Sequence, residues 1–173
     1  MSNNIINVIR SGSIGGVSGV KGSAAAGAIG GGTLMLVDGL ASVSQQTGLG
    51  FVVLSLLMGL TTGMMTGAVI GYAQGWLNGM VSGTGWGEGN LKMGRVNGVW
   101  YASMIIVWSI TGYLLFNRIP VVGVIGGIAA GILAAYISIK DFVHMIEVQS
   151  AEINPDDLRP DKNRWKHPEE IEA

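Results

Sequence analysis

The chain has 173 residues, of which 12% are charged and 49% hydrophobic, whereas a soluble domain carries about a quarter of its residues as charges. A net charge of −1 without a basic stripe argues against nucleic acid as a partner, because nothing would replace the counterions of a phosphate backbone. With no cysteine, disulfides, zinc–thiolate centres and thiol catalysis are excluded.

Between Lys21 and Lys140 the charged residues are Asp38, Glu88, Lys92, Arg95 and Arg118 alone. A water-soluble fold would have to leave that stretch without a charged surface, whereas a bilayer removes the need for one. The fold class expected is therefore all-α, a polytopic membrane protein of about four transmembrane helices. Residues 1–21 read as a polar N-terminal segment. They lack the charged start and apolar core of a secretory signal, so insertion by an internal segment is expected.

The membrane domain is expected over 22–140, with each span near the roughly 20 apolar residues a bilayer needs. The first candidate, 22–40, is largely Gly and Ala and is the weakest by hydropathy. The second, 49–76, has no charge from Leu49 to Tyr72. The third, 99–116, is the most apolar and carries Trp100, Tyr101, Trp108 and Tyr113. The fourth, 120–139, is rich in Val, Ile, Ala and Gly and ends at Lys140. The Asn117–Pro120 connection is short enough to demand an antiparallel hairpin. Residues 141–173 read as a soluble C-terminal tail. From about Asn154 its prolines and mixed charges cannot bury enough apolar surface to offset ordering, so disorder is expected. A soluble partner docking on Trp165 is the functional alternative to a merely solvated tail.

Charge placement supports four spans. With all four crossing, Arg10, Lys21, Lys92, Arg95, Lys140 and the basic residues of the tail share one side, and Arg118 is alone on the other. The positive-inside tendency then places both termini on the cytoplasmic side.

Spacing is the most specific signal. Gly59, Gly63, Gly67, Gly71, Gly75, Gly79, Gly83 and Gly87 recur every fourth residue. A second track runs Gly15, Gly19, Ser23, Gly27, Gly31 and is interrupted at Met35. A third reads Gly123, Gly127, Gly131, Ala135, and a short fourth Gly94, Gly98, Ala102. This is GxxxG, or glycine-zipper, patterning: small residues at i and i+4 make a groove in which a neighbouring backbone can lie close and gain dispersion contacts. Helix-packing roles are assigned to Gly27, Gly31, Gly59, Gly63, Gly67, Gly71, Gly75, Gly123, Gly127 and Gly131. Each four-residue step drifts about 40° around an ideal helix, so the longest track rotates by about 280° and one straight partner cannot follow it. Either the neighbour crosses with right-handed sense, or different neighbours use successive parts of the track, or the helix breaks near Asn78. The break, with the membrane portion ending near Trp76, is the expected resolution.

Catalytic patterns are not found. His144 and Glu147 form an H-x-x-E pair, set on one face if the fourth helix extends past Lys140, with too few ligands for a metal. The string Gly83–Gly89 lacks the lysine and hydroxyl of a phosphate loop. No cofactor is expected, and the chain reads as non-enzymatic. Asp38 is the one acid inside a predicted span; it is a candidate for ion or proton coupling, or an interfacial cap near the end of its segment. Trp76, Trp86 and Trp100 fit an aromatic belt. Gln45, Gln46, Gln74 and Asn78 are polar edges without an assigned role.

In outline, four glycine-patterned spans in a chain of 173 residues resemble a family of membrane protein-translocase subunits. The arginine–aspartate pair that marks that family is missing, since Val99 stands four residues after Arg95. The outline is also similar to small glycine-rich subunits of bacterial secretion and conjugation machines, and to pore-forming bacteriocins. The function expected is a subunit that packs into a secretion, conjugation or translocation complex, with the bilayer and other subunits or copies of itself as partners. The alternative is an oligomeric pore or channel.

Overall fold

The computed structural model describes residues 2–43, 48–83, 93–115 and 120–152. They form four helices: α1 (Ser2–Val43), α2 (Leu49–Gly83), α3 (Met93–Leu115) and α4 (Pro120–Glu152). The glycine string around Trp86, the connection 116–119 and residues 153–173 with Trp165 lie outside the described residues.

Local chemistry favours uninterrupted helices. Pro120 is the first residue of α4, where its missing N–H would have had no helical partner anyway. Hydroxyls fold back onto their own helix: Ser13 onto the Ile9 carbonyl, Thr33 onto Ile29, Ser109 onto Ile105 and Thr111 onto Val107, at 2.6–3.2 Å. Such bonds satisfy the hydroxyl without water.

The helices run up, down, up, down. α1 packs along α2, α3 along α4, and α1 against α4, while α2 and α3 meet over the smallest of these contacts. The core is centred on α3 and α4, with Trp100, Met104, Ala134, Ala135 and Phe142 fully buried. The rings of Trp100 and Phe142 lie 5.4 Å apart at 43°, within the favourable range for tilted aromatic pairs. Ser23 of α1 reaches into this core, its hydroxyl donating to Met104 Sδ at 3.7 Å.

The exterior is apolar. Leu54, Leu57, Met58, Met65, Val69, Ile106, Ile110, Leu114, Val121, Ile125 and Ile132 are all exposed. All four helices are long and apolar enough to cross a membrane, and the bundle is compatible with membrane embedding. Three helices exceed what a crossing requires. Their 42, 35 and 33 residues for α1, α2 and α4 correspond to about 63, 52 and 50 Å, against a hydrocarbon core of about 30 Å. The surplus at one end is helical where the sequence suggested polar flanks: residues 2–21 are the first half of α1, and 141–152 prolong α4.

One expectation is corrected. α2 does not break near Asn78 but continues as helix to Gly83. Asn78 is buried, and its amide bonds to Ser103 of α3, so it fastens the helix rather than ending it.

Truncating Trp100, fully buried, to Ala should lower stability by about 3–5 kcal/mol. Ile110→Ala, at a 55% exposed position, should cost far less. Thermal unfolding of the two variants in one detergent checks the difference.

Candidate functional site

The largest interface joins α1 and α2, and it is made of backbone. A Cβ placed on Gly15 would collide with the Gly75 carbonyl oxygen and lie 2.7 Å from the Gly79 Cα. On Gly19 it would strike the Gly71 carbonyl, on Gly27 that of Gly63, and on Gly31 that of Gly59. The relation is reciprocal. A Cβ on Gly67 would strike the Ser23 carbonyl, on Gly71 that of Gly19, on Gly75 that of Gly15, and on Gly79 that of Ser11. Each step of four along α2 is matched by a step of four back along α1, so a single antiparallel register runs from Ser11 to Gly31 and from Gly79 to Gly59. It ends where Met35 replaces a small residue: a Cβ on Gly59 would lie 2.6 Å from the Met35 Cβ. Side chains of α2 close the flanks, with Trp76 and Met80 over Gly12, Tyr72 over Gly16 and Leu60 over Gly32.

This register explains why the rotation of the track does not break the helix. A four-residue period is longer than the helical turn, so the stripe winds around the axis. A straight, featureless partner could not follow it. A partner with the same period winds with it, and α1 has that period.

A second glycine contact joins α3 to α4. A Cβ on Gly112 would strike the Gly123 carbonyl and lie 3.2 Å from the Gly127 Cα. On Gly127 it would strike the Trp108 carbonyl, and on Gly131 it would lie 2.7 Å from both the Ile105 Cα and the Met104 carbonyl oxygen. Gly112 was not singled out from the sequence. An antiparallel hairpin turning at 117–120 would have placed it opposite Gly123.

Polar contacts join the two hairpins. Lys21 Nζ of α1 lies 2.6 Å from Asp141 Oδ1 of α4. The buried Ser18 hydroxyl donates to Asp141 Oδ2 at 2.9 Å. One turn on, Gly22 sits against Ala134 and Ser138, where a Cβ would strike both the Ala134 carbonyl and the Ser138 hydroxyl. Across the bundle Asn78 Nδ2 donates to Ser103 Oγ at 2.8 Å. Reading the fourth span as ending at Lys140 put Asp141 in the tail and hid this pair, although Ser18 and Lys21 share one face of α1.

Asp38 lies on an exposed face near the end of α1. His144 and Glu147 are both exposed, one turn apart on α4. Among the described residues no group of three or more His, Cys, Asp or Glu side chains could hold a metal. Some glycines face open space: a Cβ on Gly30, Gly94, Gly98 or Gly126 would meet nothing within 4 Å. Compared with protein families, with curated proteins and with solved structures, the chain matches none of them.

Gly27 and Gly30 share α1 but have opposite surroundings, so the same substitution should act in opposite directions. Gly27→Ala should destabilise by about 1–3 kcal/mol, because two backbones would have to separate. Gly30→Ala should stabilise by up to about 1 kcal/mol through helix propensity. Chemical denaturation of both variants in the same micelle checks the two signs. For the α1–α4 junction, Lys21→Asp and Asp141→Lys should each lower the unfolding midpoint, and the double exchange should recover part of the loss, as a double-mutant cycle measures.

Proposed function

We propose that this protein is a non-enzymatic, multi-pass membrane subunit that joins a larger membrane assembly. In this reading the α1/α2 pair is a glycine zipper that stiffens the subunit, and α3 presents the face that meets a neighbour. The observation that supports it is a division of labour among small residues. The tracks of α1, α2 and α4 are occupied inside the chain. Gly94 and Gly98 of α3 have open space where a side chain would stand, and Ala102 continues that exposed stripe at the same spacing. In lipid such a stripe favours close approach of another helix, supplied by a second copy or another subunit.

Charge placement supports both termini on the cytoplasmic side, with Lys21, Arg95 and Lys140 toward that surface. The tail beyond Asn154, with Trp165, would then be available to a soluble partner. Protein secretion, conjugation or translocation is the setting that the resemblance in outline suggests. Asp38, exposed on α1, remains the candidate if the assembly couples to ion or proton movement.

A pore former is the second reading. Thr61, Thr62 and Thr66 are exposed on α2 and would supply hydroxyls to a conduit formed by several copies. A planar-bilayer recording distinguishes it: current from reconstituted protein supports a pore, and silence removes it.

The assembly reading is tested by mass measurement in mild detergent. The wild type should migrate as an oligomer or with co-purifying subunits, and Gly98→Leu should dissociate it while leaving the thermal midpoint of the subunit unchanged. A wild type that is strictly monomeric and brings no partner from its native membrane would overturn the reading.

A further inference from the structure

A line of buried polar groups on the α2/α3 side of the bundle takes no part in the glycine packing. Gln74, Asn78 and Ser82 recur every fourth residue along α2 and are 8%, 5% and 5% exposed. On α3, Ser103 meets this line, with the fully buried Trp100 one turn before it. Asn78 is satisfied: its Nδ2 donates to Ser103 Oγ at 2.8 Å, and that hydroxyl lies 3.0 Å from Asn78 Oδ1. Its neighbours are not. Among the described residues both amide atoms of Gln74, the Ser82 hydroxyl and Trp100 Nε1 are buried without a hydrogen-bond partner, as are Trp108 Nε1 on α3 and the Ser138 hydroxyl on α4, which do not belong to this line.

A buried amide whose donor and acceptor are both idle is more costly than an apolar side chain of the same shape. One such group is a local defect. Idle groups on Gln74 and Ser82, either side of Asn78 on one face of α2, and on Trp100, one turn before Ser103 on α3, where the two helices share far less contact than α1 with α2 or α3 with α4, mark a place built to be wetted. Water fits this chemistry, since it donates and accepts at once and needs two to four polar partners.

We propose that the α2/α3 seam is a water-bearing crevice that opens at the Ser82 end and reaches inward to the Gln74 amide, about 12 Å along the helix. The next position in the series is Ile70, so the polar line stops there and the crevice is blind. Asn78 and Ser103 clasp its middle. Gln74 is the inner binding group, with a carbonyl oxygen for a donor and an NH2 for an acceptor. The crevice concerns one subunit only and stands or falls independently of assembly.

The chain contains no cysteine, so a single introduced thiol reports on its own surroundings. Ser82→Cys, Ser103→Cys and Gln74→Cys are placed one at a time in the full chain, reconstituted in liposomes and treated with a small charged methanethiosulfonate. Ser23→Cys, fully buried on α1, and Leu57→Cys, 53% exposed on the apolar face of α2, serve as dry controls. Because the thiolate is the reacting form and needs water, the seam cysteines should react at least about tenfold faster than the controls. Ser82→Cys should be faster than Gln74→Cys. The proposal is overturned if the seam cysteines react as slowly as Ser23→Cys, or if Gln74→Cys reacts faster than Ser82→Cys, which would put the opening elsewhere. Should Gln74→Cys fail to fold, the two serine variants, which exchange a single atom, decide between wet and dry.

Discussion

Close approach of two backbones is the constraint on which the rest of the bundle depends. Along α1 and α2 the carbonyl oxygens of one helix stand where the other would carry a Cβ, so the pair exists only because its facing positions are Gly or Ser. At that separation dispersion acts between main chains over the whole register, and Cα–H groups lie against carbonyl oxygens. No side-chain entropy is lost at the contact, because Gly has none to lose. The opposing cost is the freedom of an unfolded glycine-rich chain, which a bilayer limits by keeping each segment helical before the helices meet.

The remaining interfaces follow from that pair. α1 receives α4 on the face beside its α2 contact, through Ser18, Lys21 and Gly22. α3 closes the bundle with bulkier contacts, and the large core side chains Trp100, Met104 and Phe142 gather where it meets α4. The molecule thus combines a backbone-packed half with a side-chain-packed half. The polar groups lie where the two halves join, at Lys21–Asp141 on one flank and Asn78–Ser103 on the other.

Four helices were legible in the lengths of the apolar runs and in the poverty of charge, and small-residue tracks were legible as tracks. The pairing between them was not. The register of α1 on α2 is a property of two segments together, and reading α2 against an idealised straight neighbour produced a break at Asn78 that the helix does not have. Helix ends were hidden for a related reason. Residues 2–21 and 141–152 look polar in composition, yet they continue helices already anchored further in, and prolonging a helix is cheaper than starting one. Asn78 had no visible role because its partner, Ser103, comes from α3, and nothing in the spacing of either segment pairs the two. Met35, by contrast, interrupts the track in the sequence and ends the carbonyl-against-glycine register in space, beyond which Gly39 still packs against Val52 and Ser55.

The apolar stretch of α2, Leu49–Ser82, is 34 residues, about 51 Å of helix, and so is too tall to stand upright within a hydrocarbon layer of about 30 Å. An isolated helix would relieve the mismatch by leaning. Here α1 is locked to it, so the two must lean as one beam, and the angle of that beam is set by how thick the surrounding lipid is. In a bilayer that thickens the beam would rise, so the lean of α1 and α2 together would follow lipid thickness.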